Sequence, residues 1–257
     1  MSSRWLAGAV FCFNFALSAA AASSPKPPRI VLWSWLADDD FRFLKDPDVG
    51  IAYLALSIRL EGRDAVIPLP RAIPVRIAPT TWRMAVIRLD YDSWNTARTP
   101  AFTPQQRQLA AKMIAEIAEL AHAQAIQIDF DAVRAAYPFY RQLLTDLRER
   151  LGPKVFLSIT ALVDWCESNR SWLEGLPVDE IVPMAFYMGH ASAAITTKLQ
   201  RGGEFVFPAC RHSIGVRLGD GNSIRPHKDQ RAYFFAPPSR AHWSSEDVKA
   251  AKATILP

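Results

Sequence analysis

Several patterns that mark common classes of enzyme are missing from this sequence of 257 residues. It has 3 cysteines and 5 histidines, and neither the pair Cys166 and Cys210 nor the pair His190 and His212 has the spacing of a metal site. There is no Gly-x-Ser-x-Gly elbow of a serine hydrolase. The glycine pair at 202–203 lacks the strand-to-helix context of a phosphate loop. We therefore expect no metal and no cofactor.

The distribution of charge gives no sign of nucleic-acid binding. The formal net charge is +5 and the isoelectric point is near 9.2. The basic residues between positions 201 and 231 are mixed with acidic ones and form no stripe interleaved with aromatic residues. We expect no nucleic-acid partner, whereas the mild positive charge leaves open an attraction to an acidic glycan.

The first 22 residues have the layout of a secretory signal. Arg4 precedes an apolar run at residues 5–17, and small residues follow at 18–22. This pattern predicts cleavage near Ala22, and an extended Ser/Pro-rich leader follows at residues 23–29. The alternative is an uncleaved membrane anchor, although the apolar run is short for a membrane span. We expect a secreted or periplasmic protein without a stable membrane span.

Two cysteines remain after the predicted signal, Cys166 and Cys210. An even number of cysteines in an oxidising compartment permits a disulfide. The alternative is two separate buried thiols, because free cysteine is among the most buried residue types.

The rest of the chain alternates between strand and helix patterns. About eight strands are predicted, at residues 30–35, 51–58, 82–91, 125–131, 155–160, 180–188, 213–218 and 231–236. Helices are predicted after Thr103, over the stretch that contains Phe139 and Leu147, at 171–176, at 191–200 and from Ser245. Alternating units of this number predict a single α/β domain over residues 30–257, a TIM-like (β/α)8 barrel. Few helices are predicted before residue 100, so loops should replace the early helical layer.

The helix after Thr103 has the clearest local signals. Thr103 is a predicted N-cap, Pro104 occupies the first helical position, and Gln106 completes a capping box. Apolar residues at helical spacing then predict the buried face: Leu109, Met113, Ile114, Ile117 and Leu120.

The strand predicted at residues 125–131 carries the main functional candidates. Because side chains alternate along a strand, Gln127, Asp129 and Asp131 share one face. Buried carboxylates are unfavourable unless they are paired, hydrogen-bonded or functional. A functional pair is one reading, and the alternatives are an Asp that caps the following helix or an internal ion pair with Arg88.

Polar and aromatic residues at the predicted strand ends complete a candidate binding site, because barrel active sites form there. Trp33 and Trp82 are expected to be core residues. The candidates for substrate binding are Gln127, Trp35, Arg88, Asp90, Tyr91, Trp165 and Tyr187.

The sequence 128–131, Ile-Asp-Phe-Asp, resembles the fourth-strand signature of family-18 glycoside hydrolases, the chitinase-like barrels. Matched by position, Asp129 corresponds to the second Asp of that signature, and Asp131 stands where the family has its catalytic Glu. Gln127 replaces the first Asp, and Phe186 falls on a Tyr position of the sixth strand. The chain is also similar, over most of residues 30–240, to an uncharacterised family of secreted bacterial barrels, domain of unknown function 3142. Residues 127–132 and 182–184 carry that similarity.

The resemblance implies a glycoside hydrolase acting on a polysaccharide or oligosaccharide. Asp131 would be the general acid, Asp129 the supporting carboxylate, and Gln127 would hold Asp129 in place. An Asp at 131 is one methylene shorter than Glu, and misplacement by about 1 Å can lower a rate roughly a hundredfold. The alternatives are therefore a non-catalytic glycan-binding barrel and an assembly protein of the cell envelope.

Overall fold

The computed structural model describes residues 27–35, 38–92, 98–121, 123–169, 171–186, 188, 192–219, 224–236 and 242–255. The predicted signal peptide at 1–22 and most of the leader lie outside these residues. So do Tyr187 and His190.

Eleven strands occur in the described residues. In chain order they are β1 (Ile30–Ser34), β2 (Asp40–Phe41), β3 (Val49–Glu61), β4 (Ala65–Pro70), β5 (Arg76–Ile77), β6 (Arg83–Asp90), β7 (Ala125–Asp129), β8 (Phe156–Leu162), β9 (Glu180–Met184), β10 (Ser213–Arg217) and β11 (Arg231–Phe235).

Eight of these strands form a closed parallel ring. The order around it is β1, β11, β10, β9, β8, β7, β6 and β3, and β3 pairs with β1 to close the ring. Strand β4 adds to β3 in antiparallel direction, and β2 pairs with β5 outside the ring. Closure satisfies the backbone groups that an open sheet would leave at its edges. The predicted α/β barrel of eight strands is confirmed.

The described residues contain four α-helices outside this ring: α1 (Pro104–Leu120), α2 (Tyr137–Leu151), α3 (Ser192–Gln200) and α4 (Ser245–Thr254). All of them follow β6 in the chain. Within the described residues, the connections from β1 to β3 and from β3 to β6 hold short strands and turns. The first half of the barrel is therefore irregular, as predicted. No helix in the described part of the chain is both long and apolar enough to cross a membrane.

Alternation along the strands divides the buried residues into two cores. The inward residues fill the lumen and form one cluster, which includes Val31, Trp33, Val86, Val182 and Tyr233. The outward residues form a second, larger cluster with the helices, in which Ile126, Ile128, Leu143, Leu144 and Leu147 take part. The inward positions at the ends of the strands are the ones whose side chains reach the mouth of the barrel.

Gly215 shows how tightly the lumen is filled. A Cβ atom at this position would lie 2.8 Å from Cη2 of Trp33. Only glycine leaves space there for the indole ring, which is 2% exposed. Trp33 is thus a core residue, as predicted.

Helix α1 begins as predicted, and its predicted buried face is confirmed in part: Ile114 is buried, and Met113 and Ile117 pack against the core. Both hydrogen bonds of the capping box between Thr103 and Gln106 are present. However, Leu109 is 39% exposed and Leu120 is 78% exposed. Small residues, including Ala110 and Ala111, face the barrel instead. The apolar spacing therefore identified the middle of the buried face but not its ends at Leu109 and Leu120.

Two other element predictions are corrected. Residues 171–176 form turns rather than a helix, since Ser171 Oγ accepts from the Leu173 amide and donates to the Trp165 carbonyl. The predicted strands at 125–131 and 180–188 end earlier, at Asp129 and Met184.

Cys166 and Cys210 form a disulfide in the structure, with their Cα atoms 5.9 Å apart. Cys166 lies in a short 3₁₀ helix after β8, and Cys210 lies in another just before β10. The bond therefore joins two connections that are separated by β9.

Candidate active site

A cleft of about 380 Å³ opens at the carboxyl ends of the ring strands. Seven ring strands each contribute a residue to its wall, namely Trp35 just beyond β1, Arg88, Asp129, Leu162, Met184, Arg217 and Phe235. Asp131, Val163, Asp164, Phe186 and Met188 from the following loops complete the lining. Barrel enzymes carry their active sites at this end.

Asp129 lies at the floor of the cleft and is 4% exposed. Its position follows from the register of β6 and β7, which places Arg88 directly beside it. The Arg88 guanidinium lies 3.4 Å from Oδ2, and the Thr160 hydroxyl donates to Oδ1 at 2.8 Å. Each carboxylate oxygen therefore has a partner on a different neighbouring strand.

The environment of Asp129 raises its pKa from 3.8 to about 6. Burial is the main cause, because desolvation disfavours the charged form, and the negative charge of Asp131 adds to it. Arg88 and the Thr160 hydrogen bond act in the opposite direction but do not offset the rise. A buried carboxyl group of this kind can hold a proton near neutral pH.

Asp131 lies two residues beyond Asp129, just after the end of β7, and its side chain is exposed to solvent at the mouth of the cleft. The pKa of Asp131 is nevertheless raised, chiefly because neighbouring protein atoms displace water from around the carboxyl group. Asp90 contributes in the same direction, and Arg88 opposes both. The two aspartates are thus an interacting pair, and their titration belongs to the pair rather than to either residue.

Arg88 is held between the carboxylates and an aromatic ring. Its guanidinium lies over the Trp35 ring, 5.7 Å from the centroid, and Trp35 stacks on Phe235 at 5.6 Å. This contact is a cation–π interaction. The ion pair between Arg88 and Asp129, which the sequence offered as the alternative to a functional site, is therefore present. Both residues belong to one wall of the cleft.

The opposite wall of the cleft is largely apolar. Met184, Phe186, Met188 and Phe235 line it, and Phe186 packs on Phe235 with ring centroids 4.6 Å apart. An apolar face beside a few polar groups is the usual composition of a small-molecule site.

Gln127 does not hold Asp129 in place. It is completely buried below the cleft, where its Oε1 accepts from Trp33 Nε1 at 2.7 Å and its Nε2 donates to Ser158 Oγ at 3.1 Å. Ser158 in turn donates to Glu180. The predicted role fails because residues two positions apart on a strand bond more readily to neighbouring strands than to each other.

Three of the aromatic and acidic candidates lie outside the cleft lining. Trp165 is 7% exposed and packs edge-on against Tyr137 and Trp172, so its ring is a core group. Tyr91 packs against Phe130, and Asp90 accepts a hydrogen bond from the Tyr91 amide. Tyr187, the remaining candidate, lies outside the described residues.

Sequence reasoning missed most of the apolar wall and Arg217. The signal was present in the alternation of the strands, because Met184, Arg217 and Phe235 each continue the inward face of their own strand. In the described part of the chain, no group of three or more His, Cys, Asp or Glu side chains could hold a metal ion.

Comparisons with known proteins find a family match within part of the chain. Residues 82–182 match the model of a family described as "Domain of unknown function (DUF3142)". This confirms the resemblance over a shorter stretch than the 30–240 suggested by the sequence. No significant match was found among curated protein sequences.

Two solved structures are similar to this chain at low identity. One is the chitinase domain of the spore coat protein CotE from Clostridium difficile, with 15% identity and a TM-score of 0.39, covering 62% of this chain and 50% of that one. The other is the spore cortex-lytic enzyme SleL from Bacillus cereus, with 17% identity and a TM-score of 0.43, covering 76% and 52%. The chain spans about half the length of each.

Proposed function

We propose that the cleft hydrolyses a glycosidic bond of a polysaccharide or oligosaccharide, with Asp131 as general acid and Asp129 as the supporting carboxylate. The observation that carries the proposal is the interacting pair of aspartates with raised pKa values at the barrel mouth. The matched family has no described function, so the proposal depends on this geometry.

The pair supplies one proton and one negative charge at the same time. Because Asp129 is buried and lies near the negative charge of Asp131, its pKa is about 6, so below that pH the pair can carry one proton and one negative charge. The proton would pass from Asp129 to Asp131 at the mouth, and Asp131 would donate it to the glycosidic oxygen as the bond from that oxygen to the anomeric carbon breaks. Asp129, held by Arg88 and Thr160, would stabilise the positive charge that develops on the sugar.

Water completes the reaction. It adds to the anomeric carbon, and the proton it releases returns to the carboxylate pair, so the enzyme regains its starting charge. The apolar wall around Phe186 and Phe235 offers contact to the flat face of a sugar ring.

Release of reducing sugar from a panel of bacterial and chitin-like polysaccharides tests the proposal. We expect Asp131→Asn to lose turnover while it still binds the substrate of the wild type. Asp229→Asn is the matched control, because Asp229 is an exposed aspartate outside the cleft. Full turnover in Asp131→Asn would refute the role of Asp131. Binding without turnover in the wild-type protein would instead identify a glycan-binding barrel.

We also propose that the protein is secreted or periplasmic, with cleavage of the signal near Ala22. The disulfide supports this location, because such bonds persist in oxidising compartments. N-terminal sequencing of the protein recovered from the periplasm or medium tests it. A protein that retains Met1 and remains with the membrane fraction would contradict it.

A further inference from the structure

The indole ring of Trp35 is in contact with protein groups from two sides. Phe235 stacks on it with ring centroids 5.6 Å apart and ring planes at 25°, and the Arg88 guanidinium lies over the ring, 5.7 Å from its centroid. Strand β1, which ends just before Trp35, pairs with β11 on one side and with β3 on the other, and β6 lies beyond β3. Phe235 on β11 and Arg88 on β6 therefore approach the ring from opposite directions.

The polar edge of the same ring is also covered. The Nε1 atom of Trp35 is shielded from solvent, so this N–H group is not offered to a hydroxyl of a bound sugar. An aromatic residue that binds a sugar presents a free apolar face or a free polar edge. Trp35 lines the cleft, but its ring is engaged with the protein.

Arg88 needs more than its ion pair to stay beside Asp129. Its Nη1 atom lies 3.4 Å from Oδ2 of Asp129, which is longer than the usual N–H···O distance of about 2.7–3.2 Å. The Arg88 side chain is also 39% exposed. Because an arginine side chain has many rotamers, one long contact restrains it weakly. The Trp35 ring supplies a second contact, on the flat face of the guanidinium.

The position of this guanidinium matters for both aspartates. The positive charge of Arg88 opposes the rise in the pKa of Asp129 and of Asp131. The interaction between two charges weakens as the distance between them grows. A guanidinium that moved away from the pair would therefore let the pair keep its proton to a higher pH.

We propose that Trp35 is a positioning residue of the cleft, whose ring holds the Arg88 guanidinium beside the two aspartates and does not contact the substrate. This inference rests on the proposed glycosidase function. Phe235 supports the ring from the side away from Arg88. Trp35 acts on the reaction only through Arg88, and the remaining apolar wall, with Met184 and Phe186, is the surface left for the sugar.

The test measures the pKa of Asp129 by NMR titration of its carboxyl carbon, without any substrate. The proteins compared are the wild type, Trp35→Met, Arg88→Met and the double variant. Methionine refills part of the space and has no aromatic face. Leu162→Ala is the matched control, because it removes another apolar side chain from the lining of the same cleft. Thermal unfolding of each variant shows that it is folded.

We expect Trp35→Met to raise the pKa of Asp129 above its wild-type value of about 6, by no more than the effect of Arg88→Met, which is about one unit. The double variant should match Arg88→Met, because residues that act as one unit have effects that do not add. Leu162→Ala should keep the wild-type pKa. In the pH dependence of kcat/KM, the alkaline limb of Trp35→Met should move upward by the same amount as the pKa, and KM should stay the same.

A second variant covers the case in which Trp35→Met does not fold. A fluorinated tryptophan introduced at position 35 keeps nearly the same shape and weakens the negative face of the ring. The pKa of Asp129 should rise in this protein also, and an unchanged pKa would overturn the inference.

The outcomes separate this inference from the proposed function. An unchanged pKa of Asp129 in a folded Trp35→Met, or shifts that add in the double variant, would overturn the positioning role and leave the hydrolase. A higher KM without movement of the alkaline limb would also overturn it and would make Trp35 a substrate-binding residue. A raised pKa of Asp129 in a protein that hydrolyses no polymer would support the contact with Arg88 and overturn the hydrolase.

Discussion

At Asp129 the fold holds a carboxyl group in surroundings that favour its protonated form. Its folded pKa of about 6 is above the ordinary value of 3.8. Between these values the folded state binds a proton that the unfolded state releases, so stability falls as pH rises from about 4 to 6. At neutral pH, the environment of Asp129 therefore lowers the free energy of unfolding at the site of the proposed reaction.

This difference predicts the effect of Asp129→Asn on unfolding. Each pKa unit corresponds to about 1.4 kcal/mol, so the variant should be more stable than the wild type at pH 7 by up to about 3 kcal/mol. The two proteins should have similar stability at pH 4, where the wild-type carboxyl group is protonated. Urea unfolding at both pH values measures this. A variant that is less stable at pH 7 would show that the ion pair with Arg88 outweighs desolvation.

Arg88 should control the pH at which activity is lost. It opposes the rise in pKa of both aspartates, so Arg88→Met should raise the pKa values of the pair further. The alkaline limb of kcat/KM against pH should then move upward by about one unit, the lower end of the effect of a nearby opposite charge. Arg88→Lys keeps the charge and should return the limb towards its wild-type position. An unchanged limb in Arg88→Met would contradict the proton-sharing pair.

At the scale of elements, β7 links the cleft to a buried polar network beneath it. Gln127 on this strand bonds to Trp33 on β1 and to Ser158 on β8. Ser158 continues the network to Glu180, which also accepts from Tyr233 at 2.6 Å. Hydrogen bonds between inward side chains thus tie together strands that are not adjacent in the ring.

Gln127→Leu should destabilise the protein without moving its pH profile. The substitution leaves Trp33 Nε1 and the Ser158 hydroxyl buried with one partner fewer, at about 1–3 kcal/mol for each group. Because Gln127 makes no contact with Asp129 that the structure records, the pKa of the pair should stay the same. Chemical unfolding and a pH–rate profile of the same variant test both statements. A shifted pH–rate profile would instead support the role predicted from the sequence, in which Gln127 holds Asp129 in place.

The disulfide constrains the connections on both sides of β9. It closes a loop with a sequence separation of 44 residues, for which chain entropy gives a stabilisation of roughly 4 kcal/mol, and measured values are often lower. We expect the double variant Cys166→Ser with Cys210→Ser to unfold at a lower denaturant concentration. Wild-type protein unfolded in the presence of a reductant is the control and should behave similarly. Equal midpoints with and without reductant would contradict a stabilising bond.

Features of the fold and the site could be predicted from the sequence where the residues that determine them are close together in the chain. The start of α1 was predictable because the Thr103 capping box involves four consecutive residues. The inward direction of Asp129 followed from alternation along one strand. The buried face of α1 and the position of Trp165 depended on which residues pack against them, and the sequence of one element does not contain that information. The meeting of Met184, Arg217 and Phe235 in one cleft required the closed ring itself.

At the scale of the whole molecule, the ring depends on its first strand. Strand β1 pairs with β11 on one side and with β3 on the other, and it carries Trp33, which fills the lumen. Without β1 the barrel has two open edges and an empty space at its centre. The matched family stretch, residues 82–182, runs from β6 into β9 and contains only part of the ring.

A pair of truncated chains tests this dependence. A chain that begins at Ser23 retains β1 and should unfold cooperatively, with all eight ring strands present. A chain that begins at residue 38 lacks β1, exposes unpaired edges on β3 and β11, and should be aggregated or largely unfolded. The fragment 82–182 should also fail to fold, because its strands cannot close a ring. Circular dichroism and thermal melts distinguish these cases. Cooperative unfolding of the chain without β1 would contradict this dependence. It would mean that the outer core between strands and helices folds without the core in the lumen, and that it alone can hold the aspartate pair in place.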